Sequence, residues 1–321
     1  MSEDMARRQE LLRGSGQVRR DMPLGKYMRL NWVLYIMLIP GLINLLLFKY
    51  LPMYGIVVAF QDYTPKGGFF GSKWVGLKHF AAFFRDPFCW RVISNTIILG
   101  LESLIFSFPA PILLALLLNE LRFDRYKKVS QTILYLPHFL SWVISGGLVT
   151  TLFATTSGLI NKGLTSIGLP AVPWLSDNGW WIFMYVFVTV WQGIGWGAIV
   201  YLSAITGIDQ EMYEAAKVDG CSRFKMMTKI TLPSIRTTIV IMLILRVGGM
   251  MSIGFEKPQM LKNVMVNEVG DVISTFIYRY GIENNKFAIS TAGGLLQSVI
   301  NFALVMTANS LSRKISDESI W

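Results

Sequence analysis

Only two cysteines, Cys89 and Cys221, stand in 321 residues. They form neither a disulfide framework nor a zinc-ligand spacing. The two histidines, His79 and His138, are too few for a histidine-based metal cluster. Charge is scarce as well, at 16% of residues, where a soluble domain usually carries about 25%. No G-x-x-x-x-G-K-[ST] run is present, so no phosphate-cradling loop and no ATP site are expected in this chain. Acidic and glutamine-rich tracts, the compositional marks of long disorder, are also missing.

What fills the chain is apolar residues, 53% of it. A spanning helix needs roughly 20 of them in succession. No charge occurs from Leu30 to Phe48, between Lys128 and Lys162, between Asp177 and Asp209, or between Lys286 and Arg313. Glu102 alone interrupts the run from Arg91 to Glu120, and Arg246 alone the run from Arg236 to Glu256. The pattern predicts an all-α, polytopic membrane protein with about six transmembrane helices. They are expected near residues 31–51, 91–119, 132–154, 179–205, 234–254 and 288–311. The first can run past Pro52 to Phe60 with a kink at that proline. It is too long for a cleaved signal peptide, and further spans follow it. A basic segment (1–30), a membrane domain (31–311) and a short tail (312–321) make up the expected organisation.

The net charge of +10 suggests nucleic acid at first sight. Its placement gives a different reading. With the N-terminus inside, the inner segments hold 18 of the 30 lysines and arginines and the longer outer segments hold 11. That asymmetry orients a membrane protein with both termini in the cytoplasm. The basic run "RRQELLRGSGQVRR" serves orientation and contact with anionic membrane lipid, and no nucleic-acid partner is expected. Cys89 then lies outside and Cys221 inside, so the two cannot pair within one chain.

Between the fourth and fifth spans lies the bridge 206–233, containing "EAAKVDGCSRFKMMTKITLP". Asp209 is placed to cap a helix, with Glu211 favourable in its first turn. Met212, Ala215 and Ala216 share one helical face. Gly220 suits the left-handed conformation that ends a helix. Ser222 is placed to cap a second helix, and Pro233 marks the entry to the fifth span. Two short helices at an angle are the physical product. Taken alone, periodicity fits an interfacial hairpin that merely joins two spans equally well.

Glu214, Ala215, Ala216, then Asp219 and Gly220, then Ile230, Leu232 and Pro233 resemble the signature of permease subunits of bacterial ATP-binding-cassette (ABC) importers. Cys221 stands where alanine is common after the glycine. The stretches "YGIVVAFQDY", "GSKWVGLKHF", "NTIILG", "GFEK" and "DVISTFIYRYGI" look like the carbohydrate-uptake branch, a maltose-transporter-like type I fold, and within it the oligo- and polysaccharide group. The resemblance covers nearly the whole chain. It implies a bacterial cell-membrane subunit that moves oligosaccharides by alternating access. The implied partners are a second homologous permease, a cytoplasmic ATPase dimer that binds ATP and Mg, and an extracytoplasmic sugar-binding protein. It also implies that the bridge is a coupling helix seated in a cleft of the ATPase. Glu214 would pair there with a basic residue, Ala215 and Ala216 would allow close packing, and Gly220 would set the second helix's angle.

Sugars are held by polar hydrogen bonds and by aromatic faces. In the fourth span Thr189, Gln192 and Trp196 fall near one face, and Gly193 beside them leaves room for a ligand or a helix. These four and Arg246 are the substrate-cavity candidates. An ionisable group inside a span is a functional hypothesis by default. Arg246 either pairs with Glu102 or meets the sugar, and an acidic saccharide such as a uronate suits an unpaired arginine. His138, Asn95, Asn119 and Asn301 read as structural contacts. No residue is expected to be catalytic and none to bind a metal. The alternatives are a membrane-embedded sugar-transferring enzyme, which wants paired carboxylates or a metal cluster near one membrane face and for which Asp209, Glu211 and Glu214 are the candidates, and a channel, which needs no lever-like bridge.

Overall fold

The computed structural model of the chain describes residues 23–316. The basic run 7–20 and the last tail residues, 317–321, lie outside the described residues. The chain divides into two compact units, Met1–Val57 and Val58–Trp321.

Helix α1 spans Trp32–Phe60. It is α-helical to Leu45, widens into a π turn over Leu46–Tyr50 and tightens to a 3-10 helix over Leu51–Phe60. The expected continuation past Pro52 therefore occurs, accommodated by a change of pitch. No side chain from Trp32 to Tyr50 is buried in the isolated chain. An all-round apolar helix of this kind faces lipid or another apolar surface.

In the second unit a two-stranded antiparallel hairpin, β1 (Gln61–Asp62) with β2 (Lys73–Trp74), precedes the short helix α2 (Lys78–Arg85). Helix α3 covers Cys89–Asn119, with a π turn at Ser103–Ser107 just before Pro109 and Pro111. Those prolines cannot donate to the preceding turn, and the wider turn absorbs the loss.

The run expected as one straight third span, 132–154, is two helices. Helix α4 (Asp124–Phe139) and helix α5 (Trp142–Phe153) meet at an angle of 100°. Pro137 tightens the end of α4 into a 3-10 turn, Leu140 is extended, and Ser141 starts α5 by accepting from the Ile144 amide at 3.3 Å. Helix α6 (Leu159–Ser166) follows.

Helix α7 (Asn178–Thr206) is the central member. The Asp177 carboxylate accepts from the amides of Gly179 and Trp180, both at 3.0 Å, and so satisfies its free N-terminal donors. Two apolar clusters run along it. One joins Trp181, Met184, Tyr185 and Val188 to Val149, Leu261 and Val266. The other joins Ala198, Tyr201, Leu202 and Ile205 to Ile112, Ala115 and Leu116 of α3. Gly195 permits the approach of α4, since a β-carbon there would lie 2.0 Å from the Leu134 carbonyl oxygen.

The bridge contains α8 (Gln210–Val218) and α9 (Arg223–Ser234), and α9 bends by 63° into α10 (Arg236–Gly248). Helix α10 stops at Gly248, six residues before the expected end at 254, because residues 249–254 turn out of the helix. After it come α11 (Glu256–Leu261), which packs on α5, and α12 (Ile273–Tyr278). The long α13 (Phe287–Ser316) lies against α10, α2 and α12, and runs into the predicted tail. Four helices are long and apolar enough to cross a membrane, and the two bent pairs bring the number to six.

Candidate functional site

Arg246 is a charge set two residues before the end of α10, in a stretch from Ile239 to Gly248 that is otherwise apolar. Its Nη2 donates to Ser103 Oγ at 2.5 Å, at the π turn of α3. It makes no ion pair with Glu102, whose Oε2 is buried without a hydrogen-bond partner among the described residues. The pairing alternative is thus replaced by a hydroxyl contact. That leaves most of the guanidinium's five donors open.

They open into a cavity of about 350 Å³. Thr189, Gln192, Gly193 and Trp196 of α7 line it together with Arg246, so all five residues expected at the substrate cavity border it. One role differs from the expectation, that of Gln192. Gln192 is 7% exposed, and its Nε2 donates to the Leu140 carbonyl at 2.9 Å, which satisfies the backbone where the third span breaks. Gly193 has open space beside it, whereas Gly195 and Gly197 make the close helix contacts. Trp196 stacks flat on His138, with ring centroids 4.6 Å apart and planes within 5°. One indole face is therefore covered, and both rings line the cavity.

Lys257 of α11 was missed by sequence reading. Its Nζ donates to Thr189 Oγ1 at 3.0 Å and stands 4.2 Å from the centre of the Tyr185 ring. Thr189 Oγ1 in turn donates to the Tyr185 carbonyl at 2.6 Å. Lys257 and Arg246 both border the main cavity and also an adjoining one of about 160 Å³. Among the described residues no carboxylate lines either. No sequence period links position 257 to α7. The lysine arrives there only because the chain leaves α10 early and α11 folds back onto α5.

The segment between α10 and α13 forms a cap held by polar groups. Asp271 is fully buried and accepts from Arg279 Nη1 at 3.0 Å and Nη2 at 2.7 Å, from Thr275 Oγ1 at 2.8 Å and from Lys262 Nζ at 3.4 Å. Burial works against the carboxylate, but the hydrogen bonds of Arg279 and Thr275 and the charges of Arg279 and Lys262 outweigh it. The Asp271 carboxyl is held below its ordinary range. Asn95 of α3 fixes the cap by donating to the Glu268 and Asp271 carbonyls at 2.7 and 2.9 Å. Its structural role is as expected, though toward a loop and not toward another span.

The bridge has the local geometry its sequence specifies. Asp209 accepts from the Glu211 amide at 3.0 Å, and Ser222 accepts from the Lys225 amide at 3.3 Å. Gly220 has φ of 70°. The amides of Gly220 and Cys221 return to the carbonyls of Lys217 and Ala216 at 3.1 and 2.9 Å, the paired bonds that close a helix at a left-handed glycine. Tyr213 Oη and Thr231 Oγ1 bond at 2.8 Å and brace α8 against α9. Glu214, Ala215 and Asp219 are exposed. Ala216 is buried whereas Ala215 is exposed, so the two do not present the shared open face expected of them.

A cavity among apolar spans that carries two basic side chains, with a jointed two-helix bridge beyond it, is the architecture of a membrane transport permease. The family model of the binding-protein-dependent transport system inner membrane component matches residues 107–317. The chain belongs to that family and is a permease subunit of an ABC importer, a transport component and not a sugar-transferring enzyme.

Among its relatives, protein LplB of Bacillus subtilis (strain 168) is 43% identical over 288 residues, 90% of this chain and 91% of that protein. The polygalacturonan/rhamnogalacturonan transport system permease protein YteP of the same organism is 44% identical over 288 residues, 90% of each. A chain from the crystal structure of a bacterial ABC transporter involved in the import of the acidic polysaccharide alginate is 41% identical. It superposes with a TM-score of 0.83 over 91% of this chain and 99% of its own. A chain of the bacterial alginate transporter in complex with an alginate pentasaccharide-bound periplasmic protein gives the same TM-score at 40% identity, over 92% of this chain and 99% of its own.

Proposed function

We propose that this permease carries acidic oligosaccharides into the cell. The observation that carries the reading is the pair Arg246 and Lys257, two basic side chains bordering one cavity that no carboxylate among the described residues lines. A cation enclosed among apolar walls favours an anionic ligand far more strongly than the same cation in water. Arg246 supplies a planar fork suited to a carboxylate, and Lys257 a compact point charge. Trp196 offers an aromatic face for the apolar side of a sugar ring. The names of YteP and of the alginate transporter, both similar along nearly their whole length, agree with this class.

Transport in this reading needs three partners. A second homologous permease completes the pathway, an extracytoplasmic binding protein delivers the sugar, and a cytoplasmic ATPase dimer binds ATP and Mg. In this reading the bridge 206–233 and both termini face the cytoplasm, the side that the excess of lysine and arginine favours. Glu214 and Ala215 meet the ATPase there, and Asp219 and Gly220 hold the joint. ATP-driven closure draws the bridge inward. Helices α8 and α9, braced by Tyr213 and Thr231, pass the movement to α7 and α10, and the cavity changes the side to which it opens.

The test is ATP hydrolysis by the assembled transporter in lipid, with the binding protein loaded in turn with uronate and neutral oligosaccharides of equal length. Stimulation by the uronate alone supports the reading, and equal stimulation by both removes it.

A further inference from the structure

A second cleft, of about 510 Å³, lies away from the sugar cavity. Asn119, the last residue of α3, and Thr206, the last of α7, both line it. It therefore sits where two spans end, at the depth of the bilayer surface. Its other walls come from the start of α4 and from the bridge. Arg122, Lys127, Lys217 and Arg223 border it, and Glu120 is the one carboxylate among the lining residues. Glu120 is engaged with Arg223 at 3.7 Å. The cleft keeps a net excess of positive charge.

The adjoining surface is apolar in an ordered way. Phe123, Tyr126, Val129, Ile133 and Leu136 follow one another at steps of three or four residues along α4 and are 57–68% exposed. The stripe starts beside the basic cleft and runs from there along the wall of the bundle. A charged cleft at headgroup depth, continued by an apolar stripe, matches an amphiphile whose head is anionic.

We infer that the cleft binds the headgroup of an anionic phospholipid, whose acyl chains lie along the α4 stripe. Arg122 and Lys127 hold the phosphate from the α4 side, and Lys217 and Arg223 approach it from the bridge. The bound lipid thereby ties the bridge to the membrane surface at the joint between α8 and α9. The inference rests on the membrane-spanning fold and is independent of which sugar is carried.

The test uses the assembled transporter, reconstituted in nanodiscs of phosphatidylglycerol and phosphatidylcholine and then released into detergent, with retained lipid counted by native mass spectrometry. Wild-type protein is expected to retain phosphatidylglycerol. The double variant Arg122→Gln, Lys127→Gln is expected to retain it about 30-fold more weakly, from roughly fivefold for each cation near a membrane surface. The double variant Arg125→Gln, Lys128→Gln makes the same charge change on the same helix at residues that do not line the cleft. It is expected to retain lipid as the wild type does. Equal loss in both variants, equal retention of phosphatidylcholine, or displacement by millimolar inorganic phosphate overturns the inference. So does retention of the lipid only after the ATPase has been stripped from the assembled transporter, which would give the cleft to a protein surface.

Discussion

The side-chain amide of Gln192 donates to the backbone carbonyl of Leu140 at 2.9 Å, across the point where the third span breaks. Leu140 is extended there and its carbonyl has left the helical ladder. A buried carbonyl without a partner costs about 1–3 kcal/mol. Gln192→Leu should lower the unfolding free energy by that amount and reduce uptake of every substrate alike. Thermal unfolding in detergent and uptake of several sugars check both parts. A change in sugar preference with unaltered stability would instead make Gln192 a sugar contact.

Two glycines a turn-half apart on α7 should respond oppositely. A β-carbon at Gly195 would stand 2.0 Å from the Leu134 carbonyl oxygen, which is backbone and cannot rotate away. Gly193 has nothing within 4 Å. Gly195→Ala is expected to destabilise the protein by about 1–3 kcal/mol, as overpacking does. Gly193→Ala should fold normally and act, if at all, on the cavity it lines. Yield after membrane extraction and unfolding temperature distinguish the two.

The bridge can be tested at its joint. With φ of 70° at Gly220, valine costs about 1–3 kcal/mol locally whereas asparagine tolerates the conformation. Gly220→Val and the charge reversal Glu214→Lys should leave insertion intact and abolish sugar-stimulated ATP hydrolysis, while Gly220→Asn should retain most of it. Normal uptake by Gly220→Val and Glu214→Lys would remove the coupling role. Cys221 beside the joint is half-buried and Cys89 fully buried. A membrane-impermeant thiol reagent should therefore label Cys221 in inside-out vesicles and leave intact cells unlabelled.

These sites show why some of the molecule is legible in sequence. The spans are written as absences of charge, and the bridge as local signals at Asp209, Gly220 and Ser222, each acting within three or four residues. Thr189, Gln192 and Trp196 fall on one wall because a helix enforces that spacing. The break between α4 and α5 is not legible in the same way. Pro137 and Ser141 sit inside a continuous apolar run, and the turn depends on Gln192, 52 residues later, accepting the role of partner. Lys257 reaches the cavity through the early end of α10 and the packing of α11 on α5, neither of which has a local signal. Arg246 had two possible partners in sequence, and only packing of α10 near the π turn of α3 selects Ser103.

The cap should show a defined response to acid. The Asp271 carboxyl titrates below its usual value, so the Arg279 and Lys262 interactions contribute fully above the unfolded value of 3.8 and are lost as pH falls through the lower folded value. Protection factors for amide exchange over residues 254–288, corrected for the intrinsic pH dependence of the exchange rate, should hold from about pH 8 to pH 5 and fall only below about pH 4. Asp271→Asn should abolish that transition and destabilise the cap by about 3–5 kcal/mol at neutral pH, because two cations then face a neutral amide.

Charge selection in the cavity is the most direct test of the residue that sequence reading missed. Lys257 Nζ already has Thr189 as a neutral partner, so it is oriented before any ligand arrives. Lys257→Met keeps the length of the side chain and removes its charge. Uptake of a uronate oligosaccharide should fall about 10-fold or more, the loss expected for one charged hydrogen bond of about 1.5–3 kcal/mol. Uptake of a neutral analogue, if the transporter accepts one, should hold or rise. Arg246→Met should act in the same direction and more strongly, since the fork makes two bonds to a carboxylate where the ammonium makes one. If the two substitutions reduce acidic and neutral uptake by the same factor, the cations hold the helices together and do not read the sugar. Unfolding temperature separates that outcome independently, because a structural role lowers it and a ligand contact does not.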